Sequence, residues 1–145
     1  MGKDKSFKEC VSFSGFIKKA SSKLHEYYQP DVVFEQNKIT IICESSTTGD
    51  RKVHIGELVQ FLTYVSENRC SEKKFYFVLF ISNTSNGGPK PSIEAKKLKY
   101  YFDRFALPKY ILDTIGGVFV VDQELIDIEN MSITLLTRSP FYSII

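Results

Sequence analysis

Hydrophobic and polar positions along this chain follow the spacings of helices and strands in turn. Apolar residues at a three-to-four spacing across residues 7–28 predict an amphipathic helix that ends before Pro30. Residues 32–34 and 39–43 are apolar runs on either side of the polar segment 35–38, which has the length of a hairpin turn. The opening of the chain is therefore predicted to be a helix followed by two antiparallel strands.

A second helix and a central strand are predicted next. One face of residues 55–67 is apolar, and Asp50 is placed to cap that helix at its amino end. The continuous apolar run in residues 74–82 is typical of a strand covered on both faces, as at the centre of an α/β sheet. Residues 83–92, with two Gly and two Pro, predict an exposed loop, and residues 93–105 predict a further amphipathic helix.

The last part of the chain has shorter patterns. Residues 110–115 predict a short helix, Gly116-Gly117 a break, and residues 118–121 a strand. Residues 132–137 predict an edge strand. The apolar tail, residues 141–145, offers a surface for a second copy of the chain, so a homodimer is one expectation.

Length and composition predict one globular domain. The 145 residues can bury a hydrophobic core and no linker divides them, so we expect a single domain with residues 1–6 disordered. No apolar run approaches the roughly 20 residues that cross a bilayer, and the chain opens without the apolar stretch of a signal peptide. We therefore expect no membrane contact and a cytoplasmic location. The net charge of +2, from 19 basic and 17 acidic side chains, does not by itself indicate a nucleic-acid partner.

Candidate chemistry lies in three features that occur in a fixed order. Pro30-Asp31 leads into a predicted strand, Glu44 closes the next strand, and Gln60 and Tyr64 follow on the predicted helix. Carboxylates at adjacent strand ends can hold Mg²⁺, a hard cation that takes oxygen ligands and keeps several waters. A metal held there activates a water and offsets charge on a phosphodiester. The order of these residues therefore indicates metal-dependent phosphodiester cleavage.

These residues resemble the signature of the PD-(D/E)xK nuclease superfamily, and the segment from Gln60 to Tyr64 resembles the QxxxY element of its RecB-like branch. The resemblance implies an α/β fold of the restriction-endonuclease type, with a mixed central sheet flanked by helices. It also implies DNA as the substrate and a Mg²⁺ or Mn²⁺ ion bound by Asp31, Glu44 and the backbone carbonyl of Ser45. Gln60 and Tyr64, four residues apart on one helical face, would approach the nucleic acid.

One residue departs from this signature. Ser46 stands where the superfamily has its lysine, and a hydroxyl cannot supply the positive charge that positions the water and stabilises the phosphate. Either Ser46 serves as the polar group itself, or a cation reaches the site from the start of the next helix, with Lys52 the first candidate and Arg51 the second. The predicted catalytic residues are therefore Asp31, Glu44, Ser46 and Lys52, and Arg51 is a predicted substrate contact.

Two other interpretations stay open at this level. The missing lysine also fits a catalytically inactive module that keeps the nuclease architecture and binds DNA or a protein partner. A regulatory or assembly protein with an unrelated α/β fold is the third, because Pro-Asp pairs and strand-end glutamates are common structural features. His25 and His54 show no cysteine or serine partner in a recognisable triad arrangement and are interpreted as helix residues, although His54 lies where it could reach the metal site.

Overall fold

Within the part of the chain that the structure describes, residues 6–82, 84–85, 87–138 and 141–145 of a computed structural model, the protein forms a six-stranded mixed sheet. The strands are β1 (Ile17–Lys18), β2 (Val32–Gln36), β3 (Ile39–Ser46), β4 (Lys74–Ile81), β5 (Ile115–Asp122) and β6 (Phe141–Ser143). The helices are α1 (Phe7–Cys10), α2 (Arg51–Asn68), α3 (Pro91–Arg104) and α4 (Lys109–Leu112). The α/β class expected from the sequence is confirmed.

The strands lie in the sheet in the order in which they occur along the chain. β1, β2 and β3 are antiparallel neighbours, β3, β4 and β5 are parallel neighbours, and β6 pairs antiparallel with β5. α2 connects β3 to β4, while α3 and α4 connect β4 to β5. Because β3, β4 and β5 run in the same direction, their carboxyl ends meet at one edge of the sheet, the usual place for a site in α/β folds.

Side chains alternate between two separately packed faces of the sheet, as the two-residue period of a strand requires. One face lies under α2 and α3, which contribute Leu58, Phe61 and Leu98 to its core. The opposite face is covered by the segment before β1, which contributes Phe13, and by the segment between β5 and β6, which contributes Met131. Both faces of β4 are therefore buried, which explains its uninterrupted run of apolar residues.

The central elements agree with the predictions. The predicted hairpin is present as β2 and β3, and Asn37 at its turn adopts a left-handed conformation, φ 48°. α2 begins after Asp50, whose side chain accepts a hydrogen bond from the backbone N–H of Lys52 at 2.9 Å. β4 lies between two parallel neighbours, and α3 covers the predicted helical range from Pro91.

The amphipathic helix predicted for residues 7–28 is wrong beyond its first turn. α1 ends at Cys10, and β1 lies inside the predicted range, where Ile17 is paired with Glu35 of β2. Gly15 adopts φ 83°, a left-handed conformation that a helix does not contain. Phe13 is buried against the sheet, so the apolar spacing reflects contacts with the sheet and not the face of a helix.

Two predictions near the carboxyl end are also wrong. Gly116 and Gly117 lie inside β5 and do not break it. A Cβ atom at Gly116 would overlap the ring of Tyr76, so glycine is needed there because the ring lies across the strand. Residues 132–137 contain a 3₁₀ helix, Thr134–Thr137, and not the predicted edge strand.

The edge strand beside β5 is β6, which lies in the predicted apolar tail. Its Phe141 pairs with Val121 of β5, and Ile144 is buried under the α3 face of the sheet. The tail thus packs within its own chain, and the homodimer stays a prediction. Disorder is predicted for residues 1–6, of which residues 1–5 lie outside the described residues. The sixth, Ser6, caps α1 by accepting a hydrogen bond from the N–H of Glu9.

Among the helices of the described residues, none combines the length and the apolar character that a membrane crossing requires.

Candidate functional site

The β2–β3 hairpin brings together the two carboxylates that the sequence singled out. Val32 is paired with Cys43, so Asp31 and Glu44 lie side by side where β2 begins and β3 approaches its end. Oε1 of Glu44 accepts a hydrogen bond from the backbone N–H of Asp31 at 3.0 Å. Oδ2 of Asp31 accepts one from the backbone N–H of Ser45 at 2.8 Å. The two acidic side chains are thereby fixed next to each other.

A third carboxylate, Glu57 of α2, faces this pair and was missed by the sequence analysis. Its negative charge acts on Glu44, and Asp31 acts on it in turn. Its Oε1 atom is buried and has no hydrogen-bond partner among the described residues. A signal was available, because Glu57 lies three residues before Gln60 and seven before Tyr64, on the same face of the helix. We call Asp31, Glu44 and Glu57 the acidic cluster.

The acidic cluster has unusual proton affinities. Burial, followed by the charge of Glu57, raises the pKa of Glu44 to about 8, and the residue is only 6% exposed. Burial, followed by the charge of Asp31, raises the pKa of Glu57 to about 7. The hydroxyl of Tyr28 is buried beside them without a partner among the described residues, and its pKa is raised by burial and by Glu44. Burial and the mutual repulsion of the carboxylates therefore oppose full ionisation of the acidic cluster.

The donor chemistry of the cluster fits a hard divalent cation. Carboxylate oxygens are the ligands that Mg²⁺ takes, and the Glu57 Oε1 atom has no other partner in the part of the chain described. As the side chains stand, no group of three His, Cys, Asp or Glu residues among the described ones is arranged to hold a metal ion. Asp31 and Glu44 each direct one oxygen to a backbone N–H, so binding an ion would require these side chains to adjust.

Ser46, which stands where the signature has a lysine, belongs to a buried chain of hydrogen-bonded polar side chains. Its Oγ lies 3.0 Å from Nε2 of His54, and Nδ1 of His54 lies 3.0 Å from Oε1 of Glu94. Oε2 of Glu94 accepts from Nζ of Lys97 at 3.1 Å. His54 and Glu94 are 1% and 3% exposed. The interpretation of His54 as lacking a serine partner is therefore wrong, because α2 and α3 pack the three residues together.

The two cations predicted at the start of α2 lie apart from these contacts. Arg51 and Lys52 are both exposed. The backbone N–H of Lys52 donates to the capping carboxylate of Asp50 at 2.9 Å. Within the described residues, neither side chain makes a hydrogen bond or ion pair with the acidic cluster. Their predicted roles thus remain predictions from the sequence.

Other lysines lie beside Asp31. A cavity of about 340 Å³, which we call the basic pocket, is lined by Lys8, Lys18 and Lys19 and by Asp31. Lys18 donates to the backbone carbonyl of Lys8 at 2.7 Å, and Lys19 forms an ion pair with Glu35 at 3.7 Å. Cations that can contact phosphates are therefore placed next to one member of the acidic cluster.

Gln60 and Tyr64, the predicted substrate contacts, share a second cavity of about 390 Å³. His25, Tyr27 and Tyr28 also line it, so we call it the aromatic pocket. The rings of Tyr28 and Tyr64 are 5.7 Å apart between centroids, while Tyr27 is 79% exposed. Through Tyr28 this pocket adjoins the acidic cluster.

Comparison of the sequence with models of known protein families gave no match, and comparisons with curated proteins and with solved structures gave none either.

Proposed function

We propose that this protein is a Mg²⁺-dependent nuclease, or nuclease-like domain, that hydrolyses phosphodiester bonds in DNA. One observation carries the proposal: Asp31 and Glu44, from adjacent strands, are held together by reciprocal hydrogen bonds to the hairpin backbone. The unpartnered oxygen of Glu57 supports it, since a cation would compensate three carboxylates that otherwise repel each other.

The order of elements supports the resemblance to the PD-(D/E)xK superfamily. A two-residue edge strand, β1, lies between α1 and Pro30. The sequence pattern of strand, turn, strand, loop, helix and strand is present as β2, β3, α2 and β4. We infer that the sheet is of the restriction-endonuclease type.

Each group of residues has a role in this proposal. Asp31, Glu44 and the carbonyl of Ser45 hold the Mg²⁺ or Mn²⁺ ion, with Glu57 as an additional carboxylate. When bound, the ion activates a water and offsets charge on the scissile phosphate. The lysines of the basic pocket contact neighbouring phosphates, and Gln60 and Tyr64 contact the nucleic acid from the aromatic pocket.

Cleavage assays test the proposal. The purified protein is incubated with single-stranded and double-stranded DNA and with Mg²⁺ or Mn²⁺, and cutting is expected with one of the ions. Asp31→Asn and Glu44→Gln should abolish cutting while the fold remains. The matched control is Asp103→Asn, which removes an exposed carboxylate paired with Lys99 and should cut like the wild type. Cleavage that survives Asp31→Asn rejects the assignment.

A second candidate is a catalytically inactive module that binds DNA or a protein partner. Ser46 favours it, because a hydroxyl stands where the signature has a charged lysine. The basic pocket would then bind phosphates without hydrolysis. Binding of DNA that needs no divalent metal and weakens steeply with salt, in a protein that cuts no substrate, would select this candidate.

A further inference from the structure

The chain formed by Ser46, His54 and Glu94 begins beside the acidic cluster. Ser46 follows Glu44 by two positions on β3, so both side chains point to the same face of the sheet. Two residues along a strand correspond to about 7 Å. The Ser46 hydroxyl, which is linked through the buried His54 imidazole to the buried Glu94 carboxylate, therefore lies next to the proposed metal site.

The direction of the protons in this chain follows from its partners. Lys97 donates to Oε2 of Glu94, which leaves Oε1 to accept a hydrogen bond from Nδ1–H of His54. Nε2 of His54 is then an acceptor for the Ser46 hydroxyl at 3.0 Å. The backbone N–H of Thr48 donates to the same oxygen at 3.2 Å, which favours loss of the Ser46 proton toward the imidazole.

The surroundings keep the imidazole neutral and ready to accept a proton. Burial lowers the pKa of His54, and Glu94 opposes this effect in part. The charged groups that act on the ring are Glu94 and Lys97 of α3 and Asp50 at the start of α2, while Ser46 contacts it from β3. A neutral imidazole oriented by a carboxylate is the arrangement by which proteins activate hydroxyl groups.

We propose that Ser46, oriented by His54 and Glu94, accepts a proton from the attacking water and so replaces the missing lysine; this inference rests on the proposed function. The water oxygen bonds to phosphorus as one of its protons moves to Oγ of Ser46. The hydroxyl proton of Ser46 moves to Nε2 of His54. The bond from phosphorus to the leaving oxygen breaks with its electron pair, and that oxygen takes a proton from solvent.

In this scheme Ser46 is the catalytic residue, and His54 and Glu94 are positioning residues that act through it. Glu94 stabilises the imidazolium that forms, and the proton leaves His54 for solvent by way of Ser46 after the reaction. Proton transfer of this kind contributes about 10² to 10⁴ in rate. A loss in that range is therefore expected when the chain is interrupted at His54.

Testing His54→Gln both in the wild type and in Ser46→Lys separates the proposed role of His54 from a purely structural one. Single-turnover cleavage is measured for the wild type, His54→Gln, Ser46→Lys, and the double variant. His54→Gln should slow cleavage strongly in the wild-type background and little in the Ser46→Lys background, where the lysine acts without the imidazole. An equal loss in both backgrounds makes His54 structural and overturns the inference.

The metal-free wild-type protein provides a readout that needs neither activity nor variants. Nitrogen-15 NMR of the imidazole should show the proton of His54 on Nδ1, with Nε2 shifted as a hydrogen-bond acceptor. A proton on Nε2 overturns the inference, because that nitrogen could then not accept the proton of Ser46. If His54→Gln cleaves at the wild-type rate, the inference about Ser46 is overturned and the proposed function stands. If the wild type cuts no substrate with any metal, both the inference and the proposed function are overturned.

Discussion

Asp31 and Glu44 hold each other in place through the backbone of one hairpin. The N–H of Asp31 donates to the Glu44 carboxylate at 3.0 Å, and the N–H that follows Glu44 donates to the Asp31 carboxylate at 2.8 Å. An intramolecular hydrogen bond contributes about 0.5–1.5 kcal/mol to stability. The position of both acids is thus part of the hairpin itself, whereas Glu57 joins them only when α2 packs against the sheet.

Stability is expected to decrease as pH rises through the neutral range. The pKa of Glu44 is about 8 in the folded protein, against 4.5 for an ordinary glutamic acid. Between these values the folded state keeps a proton that the unfolded state has released, so the stabilisation is complete below the lower value and is lost as pH rises through the upper one. The melting temperature should fall across this interval, and Glu44→Gln should make the fall shallower.

Glu72→Gln is the control for this pH dependence, since Glu72 is exposed and pairs with Lys38 at the surface. Its melting temperature should follow the wild-type curve. A wild-type melting temperature that rises from pH 5 toward pH 8 would contradict the raised pKa of Glu44.

Mg²⁺ should stabilise the protein most at alkaline pH. The ion binds ionised carboxylates, and ionisation of Glu44 and Glu57 is opposed by burial until pH exceeds their raised pKa values of about 8 and about 7. A ligand that binds only the folded state stabilises it by RT ln(1 + [L]/Kd), so the shift in melting temperature grows as the affinity for the ion increases. The shift produced by Mg²⁺ should therefore be larger at pH 8.5 than at pH 6, and Glu44→Gln should remove it. An equal shift in that variant would place the ion elsewhere.

Removing the carboxylate of Glu94 should destabilise the fold. In Glu94→Ala, the N–H of the His54 ring loses its acceptor in a buried site, which costs about 1–3 kcal/mol. Glu72→Ala is the matched control, because it breaks an exposed ion pair with Lys38 and should cost about 0–1 kcal/mol. Urea denaturation measures both, and similar losses in the two variants would refute a buried network of the strength described.

Gly116 and Gly56 should respond in opposite ways to alanine. A methyl group at Gly116 would overlap the Tyr76 ring, so Gly116→Ala is expected to cost about 1–3 kcal/mol. Nothing lies within 4 Å of a Cβ at Gly56 in α2, so Gly56→Ala should stabilise the helix by about 0.5–1 kcal/mol. Thermal denaturation distinguishes the signs. A neutral Gly116→Ala would show that the Tyr76 ring can move aside at no cost.

Lys19 is expected to contribute to DNA binding if the proposed function holds. Lys19→Ala removes one cation from the basic pocket, which should weaken binding and reduce the slope of log affinity against log salt by about 1. Lys38→Ala is the matched control. Lys38, like Lys19, forms an ion pair with a glutamate, but it does not line the basic pocket. Fluorescence anisotropy at several salt concentrations measures the slopes, and equal slopes in the two variants would remove the pocket from the interface.

Local patterns were sufficient for the middle of the fold. The hairpin, α2 and β4 follow from short-range spacing, capping by Asp50 and a continuous apolar run, which act within a few residues. The adjacency of Asp31 and Glu44 follows from the same information, because a hairpin fixes which residues face each other. Glu57 could also have been found, since its spacing to Gln60 and Tyr64 places all three on one helical face.

The sequence by itself determined the α/β class, the central hairpin and the pair of acids, since these depend on neighbours along the chain. Tertiary structure alone decided the path of residues 7–28, where sheet pairing replaced the predicted helix, and the position of β6. It also decided the contacts of Ser46, whose partners His54 and Glu94 lie 8 and 48 residues away. Such contacts leave no periodic trace in the sequence, because they form only when α2 and α3 pack on the same face of the sheet.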